Sequence, residues 1–148
     1  MTKQKFLLSL IIAVFTLGNL SAQDFKAEDI LGHWFNEEKD AKVEIYIDNG
    51  KYFGKVVWLE EPNEEDGKAK LDDENPDAEL QKRPVMGLLL MTSFDYEGEG
   101  EWENGDIYDP KSGKTYSCYM KLESKEKLKV RGFIGVSWIG RTTYWTRP

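Results

Sequence analysis

Apolar and polar residues alternate with a period of two through Ala41–Trp58, centred on Asn49-Gly50. Asn-Gly is the strongest two-residue hairpin signal, because a type I′ turn needs φ > 0 at both central positions. Pairing Asp48 with Lys51 sets Ile47 against Tyr52, Ile45 against Gly54 and Val43 against Val56. Lys42, Glu44, Asp48, Lys51 and Lys55 then share the opposite face with Tyr46, Phe53 and Val57. One register sorts nearly every charge to one side, as a sheet with one wet face requires.

The alternation recurs downstream. Thr115–Leu122 places Tyr116, Cys118, Met120 and Leu122 on one face, and Lys127–Gly132 turns Leu128 and Val130 in and Lys127, Lys129 and Arg131 out. His33–Asn36 reads as a short first strand after a helical turn at Lys26–Leu31. Met86–Phe94 is a continuous apolar run, Gly105–Tyr108 a strand, and Thr142–Arg147 a last strand. Asp109–Gly113 is a type I turn with Pro110 at its second position. Tyr96–Trp102 alternates Gly and Glu and is expected to be a mobile turn; Phe133–Gly140 is apolar, with glycines suited to tight bends. Glu60–Asp73 is acidic and lacks apolar periodicity, so an exposed loop is expected there. Asn75-Pro76 then opens a short helix that must stop before Arg83-Pro84. About eight to ten short strands joined by turns predict an all-β fold. We expect one closed or nearly closed antiparallel barrel with one short helix, since closure removes exposed edges at both chain ends.

The first residues do not fit this pattern. Lys3 and Lys5 precede an almost wholly apolar Phe6–Leu17, followed by the small-residue stretch Gly18–Ala22. That is the layout of a secretory signal. The apolar run is about a dozen residues, against roughly 20 needed to span a bilayer. Residues 1–22 are read as the signal and 23–148 as a single barrel domain, periplasmic or extracellular, with no transmembrane segment in the mature chain. Removing two lysines leaves eighteen basic against 27 acidic residues, a net charge of −9. That disfavours nucleic acid and anionic membrane surfaces as partners.

Two features at the ends of the domain, Gly32-His33-Trp34 and Arg147, resemble the calycin superfamily, which includes lipocalins. The resemblance implies that Trp34 closes one end of the barrel and that Arg147 packs across its indole, with Arg141 the second candidate. Four further blocks resemble a bacterial exported family known as domain of unknown function 2147. They are Val56–Leu59, Asp73–Gly87 (DENPDAELQKRPVMG), Gly105–Tyr116 (GDIYDPKSGKTY) and Leu128–Gly132 (LKVRG). This family resemblance implies an exported β-barrel and brings no activity or catalytic residue.

The residues themselves carry little chemistry. One histidine and one cysteine fall short of the ligands that common zinc sites need. No Gly-x-Ser-x-Gly turn presents a nucleophile to His33, which points outward if its neighbour Trp34 points in. Cys118 shares an apolar face and is expected to be an inert small hydrophobe. Asp73, Asn75, Asp77 and Glu79 alternate like early calcium ligands, yet Ala78 and Pro84 stand where such a loop needs Gly and a bidentate Glu. No cofactor and no catalytic residue are therefore assigned. Arg83 is expected either to fork to Asp73 or Asp77 as a brace or to bind an anion at the barrel mouth. Inward candidates include the bulky Tyr52, Trp58, Tyr116 and Met120, so any lumen pocket should be small and aromatic-walled.

The expected function is non-catalytic binding of a small apolar or aromatic molecule. Tyr52, Trp58, Arg83, Tyr108, Tyr116 and Arg131 are the candidate ligand-binding residues, and Trp34 and Arg147 the closure. Two alternatives stand beside it: an envelope interaction or structural module with a filled barrel, its protein partner unknown, and a hydrolase built on paired carboxylates. For the signal, the intact mass of protein recovered from envelope extracts should match a chain beginning within a few residues of Gln23. An uncleaved mass would overturn that reading.

Overall fold

The structure, a computed structural model, describes residues 24–148. The signal reading lies outside that range. Eight antiparallel strands follow one another around a closed barrel: β1 Gly32–Phe35, β2 Ala41–Asp48, β3 Lys51–Leu59, β4 Leu89–Gly98, β5 Glu101–Asp109, β6 Lys114–Ser124, β7 Lys127–Phe133 and β8 Gly140–Thr146. Each strand pairs with its neighbour in sequence, so the up-and-down connectivity needs only short turns and one long crossing, the β3–β4 connection.

The β2–β3 hairpin has the register that alternation predicts, from Asp48↔Lys51 to Val43↔Val56. Asn49 (φ 46°) and Gly50 (φ 77°) are both left-handed, as the type I′ turn requires. Beyond Val43 the register shifts, and Lys42 pairs with Trp58. Two residues of β3 thus answer one of β2, a bulge that flips side chains to the other face. Trp58, expected inside, therefore stands on the outer face with Phe35 at 5.8 Å and the Lys42 ammonium at 5.0 Å.

Two other expectations are corrected. Tyr96–Trp102 is no mobile turn: β4 and β5 run almost through it, leaving Glu99 and Gly100 as a tight turn with φ of 52° and 76°. Packing of the Tyr96 and Trp102 rings, 5.0 Å apart, holds the strands together there. The helix expected after Asn75 is a single 3₁₀ turn, Leu80–Lys82.

The lumen is filled. Trp34, Ile45, Met91, Phe94, Trp102, Met120, Leu122 and Leu128 are buried in one cluster. Among the described residues, the buried members of this cluster run from Phe25 to Trp145. Glycine makes this density attainable: a Cβ on Gly105 would lie 2.3 Å from the Phe94 ring. The outer wall carries ion pairs such as Lys55–Glu44 and Lys51–Asp95, not the apolar band of a membrane-spanning barrel.

The lower end is shut by the 3₁₀ turn Ala27–Ile30, whose Ile30 is fully buried. The Trp34 indole N–H donates to the Ile30 carbonyl at 2.8 Å. The Arg147 guanidinium lies 3.8 Å from the Trp34 ring centre and donates to the carbonyls of Asp29 (2.7 Å), Leu31 (2.9 Å), His33 (3.2 Å) and Lys125 (3.4 Å). At the upper end the turns also meet. Lys111, on the β5–β6 turn, pairs at 3.1 Å with Asp40 on the β1–β2 turn, which lies diametrically across the mouth. Asn36 holds Asp40 from behind at 2.6 Å, and the Glu60 N–H donates to the Asp40 carbonyl.

Because Phe94 is fully buried, Gly105→Ala should overpack the core and cost about 1–3 kcal/mol. The urea midpoint should fall with little change in slope. An unchanged midpoint would show that the lumen has slack.

Candidate functional site

The β3–β4 connection doubles back on itself through bridges Asn63↔Ala69 and Leu71↔Pro84. It is pinned to the barrel by one fully buried carboxylate. Asp72 accepts from the Tyr108 hydroxyl (2.5 Å) on one oxygen, and from Asn75 Nδ2 (2.9 Å), Arg83 Nε (2.9 Å) and Arg83 Nη2 (2.8 Å) on the other. A buried carboxylate needs this many donors, since charge taken from water is tolerated only when paired and hydrogen-bonded. Asn75 in turn accepts from the Asp77 N–H, and its carbonyl takes the Gln81 amide. Arg83 is thus a brace, with Asp72 as the partner in place of the expected Asp73 or Asp77. Burial raises the Tyr108 phenol above its ordinary value of 10.0, and the adjacent Asp72 carboxylate adds to the rise.

Beside this brace lies a cleft of about 370 Å³. Its wall is the loop, through Asp77, Leu80 and Arg83, and its floor is the barrel at Leu89, Leu90, Thr92, Asp106, Tyr108 and Thr115. The Arg83 guanidinium sits 5.7 Å from the Tyr108 ring centre, so both groups are held rigidly at its rim. A second cleft, about 400 Å³, lies on the outer wall of β5–β7 against Glu103, Asn104, Asp106, Tyr119 and Phe133.

Of the six candidate binding residues, the structure brings Arg83 and Tyr108 together and separates the rest. Tyr52 is buried in the lumen 6.0 Å from Trp102, and Tyr116 lines the upper lumen over Gly132. Trp58 is on the outer rim. Arg131 lies on the outer wall, donating to the Ser137 carbonyl (2.6 Å) and Thr142 Oγ1 (2.9 Å). Asp72 was missed by sequence reasoning, because nothing local separates it from the acids beside it; of its partners, Arg83 and Tyr108 stand 11 and 36 residues away.

The reactive groups are quiet. Burial pushes the Cys118 thiol up to about 12. His33 is exposed on the outer face of β1. Asp29, Asp40, Asp66 and Asp95 are all held below the usual carboxylate range. The backbone N–H of Lys26 does this for Asp29; the Lys68 and Lys51 ammonium groups do it for Asp66 and Asp95. At Asp40, burial acts the other way and is outweighed by bonds from Asn36 and Lys111. A carboxyl acting as general acid needs the opposite shift. Among the described residues no group of His, Cys, Asp and Glu is arranged to hold a metal ion.

An eight-stranded up-and-down barrel with a 3₁₀ turn and a Trp–Arg pair closing one end defines a lipocalin-like protein. The chain belongs to the family described as uncharacterized protein conserved in bacteria (DUF2147), whose model matches residues 32–147. A solved structure agrees: protein HP1028 from the human pathogen Helicobacter pylori, described as belonging to the lipocalin family, is 26% identical with a TM-score of 0.64. The match covers 73% of this chain and 72% of that one. No curated protein sequence matches.

Tyr108→Phe should leave one Asp72 oxygen without its donor and cost about 1–3 kcal/mol. It should also speed proteolytic nicking between residues 60 and 79. The raised phenol pKa means that the unfolded chain ionises first: stability is intact below about pH 10 and falls as pH climbs toward the folded value. Urea titrations should show that alkaline loss reduced in Tyr108→Phe. Cys118 should resist a disulfide reagent at pH 8 until the barrel is unfolded; prompt reaction in the native state would contradict its burial.

Proposed function

We propose that this protein is exported and binds a small, largely apolar or aromatic molecule, without catalysis, in the cleft bounded by Arg83 and Tyr108. The observation that carries the reading is the cleft itself, apolar on its floor and fixed on its rim by the Asp72 brace. Ligand sites are concave, mostly apolar and furnished with few polar groups, and this volume falls in their range. The filled lumen argues for placing the site on the outer wall, since the space enclosed by about eight strands is just wide enough for side chains or one small ligand. Leu80, Leu89 and Leu90 would cover the body of the ligand. Arg83, whose Nη1 is not engaged by Asp72, would meet a polar or anionic end.

The family and the structural neighbour support a lipocalin-like barrel, and with it a small ligand. The ligand class comes from the cleft's lining. Export rests on the apolar run that follows Lys3 and Lys5.

Thr92 and Thr115 point from the wall into the cleft, whereas Tyr116 faces the lumen. Titration with the neutral aromatic probe N-phenyl-1-naphthylamine should give saturable fluorescence enhancement. Thr92→Trp and Thr115→Trp should each weaken it by about tenfold or more, equivalent to losing one buried side-chain contact. Tyr116→Phe should leave it unchanged. Absence of saturable binding would overturn the proposal, and loss only with Tyr116→Phe would move the site into the lumen.

A further inference from the structure

Three of the four upper connections are tied to one another. The β1–β2 turn meets the β5–β6 turn through Asp40–Lys111, and the long β3–β4 connection bonds to the first at Glu60 and packs on the second where Gly113 touches Glu74. The fourth, between β7 and β8, is tied at its base, where Arg141 pairs with Glu37 (3.6 Å) and Glu38 (3.3 Å) of the β1–β2 turn, while among the described residues its tip, 134–139, bonds only within its own hairpin. Ile134 N–H donates to the Ile139 carbonyl (3.1 Å), Ile139 N–H to Val136 (3.0 Å), and Arg131 Nε to Ser137 (2.6 Å). The tip is therefore preformed, and it holds its apolar side chains in water. Trp138 is 78% exposed, Ile134 64%, Ile139 59% and Val136 38%.

We infer that this tip inserts into the interfacial layer of a zwitterionic lipid bilayer, with Trp138 as its leading side chain. The chemistry of the segment favours that occupant. Phe133–Gly140 contains no ionisable group, and Trp is the side chain that prefers the depth between headgroups and acyl chains. Arg131 and Arg141 flank the segment at its base and are engaged there, Arg131 by Ser137 and Thr142 and Arg141 by Glu37 and Glu38, so the tip itself presents no charge. The neighbouring long connection carries ten acids against two lysines between Glu60 and Glu79, a field that repels an anionic surface and tolerates a neutral one.

Geometry separates a bilayer from a protein partner. Among the described residues, the exposed large apolar side chains concentrate at the upper end. Ile47, beside the β2–β3 turn, is the exception at the lower end, and Tyr144 stands on the wall. A flat, laterally continuous apolar layer can receive such a tip without a complementary pocket. A tip-to-tip contact between two copies would engage six residues a side, against the roughly 20–30 a side of a standard interface. Surface insertion of this kind does not depend on the cleft holding a ligand, and the two proposals fail separately.

The protein as recovered from envelope extracts should be mixed with phosphatidylcholine vesicles and floated on a density gradient. The expected result is cofloatation, quenching of tryptophan emission by brominated phosphatidylcholine, and weaker binding when a third of the lipid is phosphatidylglycerol. Trp138→Ser should lower the partition coefficient by about tenfold or more, since one large apolar side chain leaves the membrane. Trp58→Phe should leave it unchanged, and near-ultraviolet circular dichroism should show both variants folded. Failure to float, flotation indifferent to Trp138→Ser, or a dimer in solution that Trp138→Ser dissociates would each overturn the inference.

Discussion

The Arg147–Trp34 contact is the interaction on which closure of this barrel depends. One guanidinium stacks on the indole at 3.8 Å and binds four backbone carbonyls, drawn from the 3₁₀ turn, its exit into β1, β1 itself and the β6–β7 turn. Those carbonyls would otherwise be orphans at the end of a sheet. A cation over an indole contributes about 2 kcal/mol when desolvated. Burial lowers the Arg147 pKa below its ordinary value, the expected cost of taking a charge from water, with Glu126 and Asp29 acting against that fall. Gly32 completes the fit: its φ of 102° turns the chain into β1, and a Cβ there would stand 3.2 Å from an Arg147 nitrogen. The clasp also spares β1 a long partner on its far side. β1 meets β8 only at Phe35↔Thr146, and a little higher the Tyr144 N–H is taken by the Glu37 side chain.

Filling the lumen has consequences for where chemistry can be placed. Trp34, Phe94, Met91, Trp102 and Met120 fill the barrel, and the charged groups lie outside it. The most demanding of them, Asp72, is fully buried under the long connection instead of in the lumen. Its four donors set one geometry for a segment that has almost no regular structure. Removing Arg83 leaves a buried charge without its partner and removing Tyr108 or Asn75 leaves a hydrogen bond unmade, so this arrangement specifies position more than it adds stability. The cleft inherits its rigidity from that constraint.

Much of the barrel was legible because the pleat has a period of two and the turns have chemistry. Asn49-Gly50 fixed the first hairpin's register, and Cys118, Met120, Leu122, Leu128 and Val130 faced inward as their alternation required. What escaped reading was decided over long distances. Glu99 adopts a left-handed conformation that nothing in its side chain advertises; the packed rings of Tyr96 and Trp102 on either side impose it. The bulge beyond Val43 moved Trp58 to the outer face, and no local signal marked the extra residue. At the candidate site, Arg83 and Tyr108 were identifiable as unusual polar groups, yet their meeting needed Asp72. A carboxylate among many acids carries no mark of the one that folding will bury.

The position of the clasp along the chain bears on how the molecule comes into being. Arg147 follows all eight strands, whereas the ring it covers belongs to the first. A polypeptide delivered amino end first, from a ribosome or through a translocation pore, presents Trp34 early and its cover last. Until then the nascent hairpins have sequential neighbours but no seal, and the order of synthesis keeps them unlatched.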